Sequence, residues 1–237
     1  MRISKRFVIV FVALICVIAI AVGLSFFISH QKERRHQVEL MQQVQEYTQS
    51  KLEAYAAENE MYADYEMDVA FLGDSLTDGY PLDEFYPQFQ VTNRGIGGDT
   101  TFALQARLQT SVIDLKPKVI VLLIGGNNLD TMFDNYEDIL RTFQQQLPKT
   151  KVVLLSLTSM SGDWARNNEI AALNNVKIQL LAQKYGYDFI DLFTPLLDLE
   201  TGTLRDAYTV DGAHLTRDGY AVVTAAVTPV LEKLLTE

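Results

Sequence analysis

This chain contains a serine, a histidine and an aspartate, three residue types that together can catalyse acyl transfer. Ser75 lies in the turn GDSLTDG, and Asp211 and His214 lie three residues apart in the block DGAH. A serine hydroxyl is a weak nucleophile, so it needs a base, and the base needs a carboxylate to orient it. The other two histidines, His30 and His36, lie in a charged segment near the N-terminus. Imidazole chemistry in the rest of the chain would therefore depend on His214.

Two further blocks offer donors for the oxyanion of a tetrahedral intermediate. Gly98 in NRGIGGDTT presents a backbone N–H, and Asn127 in GGNN presents a side-chain amide. A glycine suits a position where the backbone must approach a substrate closely. Each block alone also has a plainer interpretation: Asp74 and Ser75 as helix caps, GGNN as a tight turn, and His214 as a buried core residue.

Several other chemistries do not fit the sequence. The stretch GIGGDT is not a dinucleotide-binding loop, because Thr100 stands where the third glycine would be, and the chain has no GK[ST] phosphate loop. The single cysteine, Cys16, lies in an apolar N-terminal run, so no disulfide or thiolate site is expected beyond it. With one histidine beyond residue 36, a zinc site would rest mainly on carboxylates. We therefore expect no metal and no cofactor.

The elements that must position these residues follow an alternating pattern. Short runs that are apolar on both faces predict buried parallel strands. Helical stretches separate them, which predicts one α/β domain with a parallel sheet between two layers of helices. The predicted strands are VAFLG, FQVTN, KVIVLLIGG, KVVLLSLT and YDFIDLF, and the predicted helices cover residues 100–115, 135–147, 167–186 and 216–235. Functional residues of such sheets collect at the carboxyl ends of the strands.

The N-terminus differs from the rest. Residues 7–28 contain 22 residues without a charge, and a helix of about 20 apolar residues spans a bilayer. We predict an uncleaved transmembrane helix rather than a signal peptide, because the apolar run is long and no small-x-small cleavage site follows it. The expected domains are a membrane anchor at residues 1–30, a helical stalk at 31–66 and a catalytic domain at 67–237.

The sequence of the stalk and the distribution of charge indicate which kinds of partner to expect. Residues 31–66 carry an irregular helical stripe of apolar side chains, which leaves open a spacer, a helix packed on the domain, or a homodimer. Residues 37–237 hold 14 Lys and Arg against 29 Asp and Glu, so a nucleic-acid partner is not expected. Basic residues flank the apolar run on both sides, and we place the N-terminus inside and the catalytic domain outside the cytoplasm.

Together, the blocks GDSLTDG, NRGIGGDTT, GGNN and DGAH resemble blocks I, II, III and V of the SGNH, or GDSL, hydrolase superfamily. The stretch NRGIGGDTT followed by LKPKVIVLLIGGNN is especially similar to platelet-activating-factor acetylhydrolase catalytic subunits and their bacterial relatives. The resemblance implies a flavodoxin-like three-layer α/β/α sandwich with a five-stranded parallel sheet. It also implies Ser75 as nucleophile, His214 as base, Asp211 as its orienter, and an oxyanion hole formed by the Ser75 N–H, Gly98 and Asn127. Many members have Asp where this chain has Asn128.

The expected function is hydrolysis of carboxylic esters by a membrane-anchored serine esterase or acylhydrolase. The substrate stays open among short-acyl esters, lysophospholipids and O-acetylated glycans. Acyl transfer to another acceptor by the same triad is one alternative, and a catalytically idle module that binds envelope glycans is another. The segment SMSGDWARNNE is expected to contribute to the pocket wall. Its tryptophan, Trp164, is more simply interpreted as a cover of the core.

Overall fold

The first helix is the longest element of the chain. The structure, a computed structural model, describes the backbone of residues 5–236 and the side chains of residues 23–236. Helix α1 runs over Lys5–Asn59. The chain divides into two compact units, Met1–Ser50 and Lys51–Glu237, so the last turns of α1 belong to the second unit. The predicted division into anchor, stalk and catalytic domain stays a prediction.

The apolar N-terminal run lies mostly outside the described side chains, which begin at residue 23. Within the described part of the chain, no helix is both long enough and apolar enough to cross a membrane. The predicted membrane span at residues 7–28 and its orientation therefore stay predictions.

Five parallel strands form the central sheet, which confirms the predicted α/β fold with a five-stranded parallel sheet. Their order is β2-β1-β3-β4-β5, and every neighbouring pair is parallel. Strands β1 and β3 are buried along their whole length, as their continuous apolar sequences predict. The strands are β1 Val69–Gly73, β2 Val91–Gly95, β3 Val119–Leu123, β4 Lys151–Leu155 and β5 Asp188–Ile190.

Helices cover both faces of the sheet. They are α2 Ser75–Asp78, α3 Leu82–Phe85, α4 Thr101–Ala106, α5 Tyr136–Gln146, α6 Asn168–Tyr185, α7 Phe193–Leu196 and α8 Arg217–Thr236. Leu104, Phe143 and Ile178 bring α4, α5 and α6 into the core on one face. Tyr220 and Val227 bring α8 into the core on the other. Because both faces are apolar, this arrangement buries them in three layers.

The predicted helix at residues 100–115 is wrong in its length. Helix α4 ends at Ala106, and a π-helical turn follows at Gln109–Ile113. The chain leaves the α-helix at Arg107, whose buried guanidinium donates to the Gly73 carbonyl at 2.9 Å and to the Arg94 carbonyl at 3.0 Å. These bonds tie the carboxyl end of β1 to that of β2. Helical periodicity does not reveal them, because they join distant parts of the sequence.

The structure also contains a small hairpin that the sequence pattern did not predict. Strands β6 Leu197–Asp198 and β7 Thr203–Leu204 pair antiparallel between α7 and the block that contains His214. Strands of two residues are too short to produce a periodic pattern. Leu204 is nevertheless buried, and its N–H donates to the Met160 carbonyl at 3.1 Å. The hairpin therefore supports the segment that carries Met160.

Candidate active site

The structure brings Ser75, His214 and Asp211 into one hydrogen-bonded chain. His214 Nε2 lies 2.9 Å from Ser75 Oγ, and His214 Nδ1 lies 2.6 Å from Asp211 Oδ2. With a proton on Nδ1, that nitrogen donates to the carboxylate and leaves Nε2 to accept the serine hydroxyl. Residues 139 positions apart in sequence are thus in contact at the carboxyl edge of the sheet.

The loop before α8 holds the aspartate and the histidine in this geometry. Asp211 Oδ1 accepts the backbone N–H of Ala213 at 3.0 Å and that of His214 at 2.8 Å. The hydrogen bond from the His214 ring, followed by that from the His214 N–H, lowers the pKa of Asp211 to about 2. The carboxylate therefore stays ionised wherever the imidazole can act as a base.

Gly212 is required between these two residues. Its φ is +93°, a conformation that side chains disfavour. A Cβ at this position would lie 2.5 Å from the Ser161 carbonyl oxygen, and the Ser161 N–H donates to the Gly212 carbonyl at 2.8 Å. The close approach of Gly212 to Ser161 holds the Asp211–His214 loop against the segment that precedes Trp164.

The aspartate and histidine side chains are open to solvent, at 47% and 46% exposure. Water screens an ion pair of this kind, so it adds little to the free energy of folding. Its effect on the site is to select the imidazole orientation and tautomer. Exposure also lets water reach the histidine, which hydrolysis requires.

The turn that contains Ser75 joins β1 to the short helix α2. Asp74 caps α2, because its Oδ1 accepts the Leu76 N–H at 3.1 Å. Gly73 allows the turn to pack tightly, since a Cβ there would lie 2.2 Å from the Leu123 carbonyl oxygen. The capping interpretation of this block is therefore correct for Asp74, while Ser75 points its hydroxyl to His214.

Of the three predicted oxyanion donors, Ser75 and Asn127 line the same pocket. Among the described residues, neither the Ser75 N–H nor the Gly98 N–H donates to a protein acceptor. Gly98 has φ +80° and is exposed, in the loop between β2 and α4. Asn127 Nδ2 donates one hydrogen to the Asp99 carbonyl at 2.9 Å, which places the amide next to the Gly98 loop and leaves its second hydrogen for a substrate.

The hydrogen bonds of Asn128 explain why this chain has Asn at a position where the blocks of many SGNH hydrolases have Asp. Its Oδ1 accepts the Thr101 N–H at 3.2 Å, and its Nδ2 donates to Thr101 Oγ1 at 2.9 Å. An amide supplies both an acceptor and a donor, whereas a carboxylate supplies acceptors alone. Asn128 thus holds the beginning of α4, directly after the Gly98 loop.

A pocket of about 90 Å³ opens beside the serine and the histidine. Its polar lining includes Asp74, Ser75, Asn127 and His214, whereas Gly98 lies outside the lining. Its apolar walls are Leu76, Leu123, Leu157, Met160 and Trp164. The segment SMSGDWARNNE thus contributes to the wall, as predicted.

The interpretation of Trp164 as a cover of the core is wrong, because its side chain lines the pocket and is 46% exposed.

Asp74 is a buried titratable carboxyl in this pocket, and no sequence pattern indicated its burial. Its side chain is 4% exposed. Burial raises the pKa of Asp74 to about 7, and the hydrogen bond from Leu76 N–H only partly opposes the shift. The folded state therefore favours protonated Asp74, and this contribution to stability is lost as the pH rises from about 4 to about 7.

Replacing Asp74 by Asn tests this shift. Asn keeps the acceptor for the Leu76 N–H and carries no charge, so we expect the variant to gain stability over wild type at pH 8 but not at pH 4. The gain is expected to be on the order of 4 kcal/mol, because the pKa rises from 3.8 to about 7 and each pKa unit corresponds to about 1.4 kcal/mol. Urea unfolding at both pH values measures it. A stability difference between the two proteins that does not change with pH contradicts the shift.

The five-stranded parallel sheet, with Ser75, His214 and Asp211 in hydrogen-bond contact, is the arrangement expected of a serine ester hydrolase. The sequence profile of the GDSL-like Lipase/Acylhydrolase family matches residues 71–222. The chain belongs to this family, which confirms the resemblance seen in its sequence blocks.

Individual relatives agree with this assignment. The platelet-activating factor acetylhydrolase IB subunit alpha2 of Gallus gallus is 30% identical over 189 residues, a match that covers 73% of this chain and 80% of the relative. The same subunit of Rattus norvegicus is 28% identical over 193 residues, with the same coverage. The crystal structure of a GDSL-like lipase from Bacteroides thetaiotaomicron superposes with a TM-score of 0.66 at 28% identity, over 77% of this chain and 97% of that one.

Proposed function

We propose that this chain hydrolyses short-acyl carboxylic esters through Ser75, His214 and Asp211. The main support is a continuous chain of hydrogen bonds. Asp211 Oδ2 lies 2.6 Å from Nδ1 of the His214 imidazole, and Nε2 of the same ring lies 2.9 Å from Ser75 Oγ. A binding site has no need of a nucleophile in contact with a base. The alternative of an idle glycan-binding module is therefore the weaker hypothesis.

The proposed reaction has two halves. His214 Nε2 takes the hydroxyl proton as Ser75 Oγ bonds to the ester carbonyl carbon, and the same proton passes to the leaving alcohol when the C–O bond breaks. Water then gives a proton to His214, attacks the acyl-enzyme and releases the acid, and Ser75 regains its proton. The Ser75 and Gly98 N–H groups and the Asn127 amide stabilise the oxyanion in both halves.

The dimensions of the pocket support a short acyl group. Its volume of about 90 Å³ is smaller than the roughly 150 Å³ cavity that accommodates a benzene ring. The walls formed by Leu157 and Met160 are apolar and buried, which suits a hydrocarbon chain. The curated relatives carry acetylhydrolase in their names, which supports acetyl as the preferred group. For the alcohol part of the ester, two substrate classes stay open: lysophospholipid-like molecules and O-acetylated glycans.

Enlarging the pocket at Met160 is expected to change acyl selectivity. Wild type should prefer p-nitrophenyl acetate to the butyrate and octanoate. Met160→Ala should raise kcat/KM for butyrate relative to acetate by about 10-fold or more, since a methylene in an apolar pocket is worth roughly 10-fold to 200-fold. Met61→Ala is the matched control, because Met61 is 73% exposed. An unchanged acyl profile in Met160→Ala would mean that this pocket does not receive the acyl chain.

The test of the function itself is turnover by the full-length wild type. We expect release of p-nitrophenol and acetic acid from p-nitrophenyl acetate. Adding an alcohol or sugar acceptor distinguishes the acyltransferase alternative, because a transferase partitions the acyl group to the acceptor even in water. The exposed His214 favours water as the acceptor. Folded wild type that is inert on all three p-nitrophenyl esters would contradict the proposal.

Attachment to a membrane is part of the proposal and rests on the 22 uncharged residues at positions 7–28. The catalytic domain would then lie outside the cytoplasm, and a homodimer through the stalk is an accompanying hypothesis. In membrane fractionation, the full chain should pellet with membranes and resist extraction at high pH. A full chain found in the supernatant would contradict the anchor.

A further inference from the structure

The last turns of α1 contact two loops of the candidate active site. Lys51 Nζ lies 2.6 Å from Asp78 Oδ1, at the end of the helix that begins with Ser75. Tyr55 Oη donates to the Gly95 carbonyl at 2.7 Å, at the start of the loop that contains Gly98. Both Lys51 and Tyr55 precede residues 71–222, the segment that defines the family. These contacts are therefore additional to the family's sequence blocks.

Asp78 connects the nucleophile helix to the oxyanion loop. Its Oδ2 accepts the Gly97 N–H at 3.1 Å, one residue before Gly98. Its other oxygen faces Lys51, which balances the negative charge. One carboxylate thus joins three segments: the end of α1, the helix of Ser75 and the loop of Gly98. A shift of this carboxylate would move Gly98 relative to Ser75.

Close packing makes this junction rigid. A Cβ on Gly95 would lie 2.2 Å from the Asp78 backbone nitrogen, so the loop and α2 lie in direct backbone contact. Tyr55 is 4% exposed. Burial raises the pKa of Tyr55 to about 12, and the hydroxyl therefore remains a donor to the Gly95 carbonyl at neutral pH.

A buried arginine anchors the same turns of α1. The Arg94 side chain is fully buried. Its guanidinium carbon lies 4.6 Å from the centre of the Tyr55 ring, and its Nη2 lies 3.1 Å from Glu58 Oε2. Because a buried charge needs a partner, Glu58 and Tyr55 have a structural reason to stay on the domain. Residues 51–59 are therefore held against the loops that Lys51 and Tyr55 contact.

We propose that Lys51 and Tyr55 are positioning residues of this active site, acting through Asp78 and the Gly95 carbonyl on the Gly98 N–H and Ser75. This inference rests on the proposed function. It makes the end of α1 part of the catalytic apparatus and not merely a connection to the domain. Neither residue lines the pocket beside Ser75, so their loss should alter the reaction more than substrate binding.

Kinetics of full-length Lys51→Gln and Tyr55→Phe on p-nitrophenyl acetate test the inference. We expect kcat to fall by roughly 10-fold to 100-fold with KM nearly unchanged, since a misplacement of about 1 Å can cost on the order of 100-fold. Lys51→Arg, which keeps the charge, should recover most of the loss. Lys118→Gln is the matched control, because Lys118 forms a 2.6 Å pair with Asp68 near the opposite ends of the strands.

Active-site titration separates positioning from loss of folded protein. The inference predicts wild-type numbers of titratable sites with a lower kcat per site. Variants that keep the wild-type kcat per titrated site, including those that merely contain fewer active sites, would overturn it. Failure of the proposed function is distinguishable, because it would appear as inert wild type or as an active Ser75→Ala variant.

Discussion

Ser75→Ala and His214→Ala are each expected to lower kcat for p-nitrophenyl acetate by on the order of 10⁶-fold, the size of effect found when a serine hydrolase loses its nucleophile or its base. Ser75 Oγ and His214 Nε2 lie 2.9 Å apart and act on the same proton. Neither can perform its step without the other. Steady-state kinetics of the full-length variants would measure the loss.

The double variant tests whether the two residues act as a unit. Because the first substitution already removes the shared step, Ser75→Ala combined with His214→Ala should be no slower than either single variant. Ser50→Ala serves as the control, since Ser50 is an exposed residue of α1. Turnover by Ser75→Ala at the wild-type rate would remove the basis of the proposed mechanism.

Asn127→Ala is expected to lower kcat by about 10²-fold to 10³-fold, the usual effect of losing one oxyanion donor. KM should change little, because the amide acts on charge that develops only in the transition state. The position of the amide supports this role: Asn127 lines the pocket with Ser75 and donates to the carbonyl next to Gly98. Ester kinetics with kcat and KM resolved would measure the effect.

Asn127→Asp distinguishes a donor from a space-filling side chain. Aspartate has nearly the same shape but places a negative charge beside the developing oxyanion, so this variant should be at least as slow as Asn127→Ala. If Asn127→Asp retained the wild-type kcat, the oxyanion role of Asn127 would be wrong.

The strand pattern of the sequence was sufficient to predict the sheet. Buried parallel strands have continuous apolar sequences, and each of the five predicted strands overlaps an observed one. Helix α8 begins one residue after the predicted start, at Arg217. The end of α4 could not be predicted in this way, because it depends on Arg107 reaching the carbonyls of Gly73 and Arg94 across the sheet edge.

The candidate site was more predictable at its reactive groups than at its walls. Ser75, Asp211 and His214 have side chains that few other roles require together, so their identities were informative. Leu157 and Met160 are ordinary apolar residues, and only the fold reveals that they line the pocket. The contacts of Lys51 and Tyr55 likewise depend on how α1 packs against the domain, and no local pattern predicts that packing.

Covalent labelling with a fluorophosphonate would show whether His214 activates Ser75 as a nucleophile. Ser75 Oγ would bond to phosphorus, fluoride would leave, and the hydroxyl proton would pass to His214. Peptide mass spectrometry should find the label on the Ser75 peptide of wild type, no label there in Ser75→Ala, and much slower labelling in His214→Ala. Labelling of wild type at another residue, or at Ser75 with equal speed in His214→Ala, would mean that His214 does not activate Ser75 as a nucleophile.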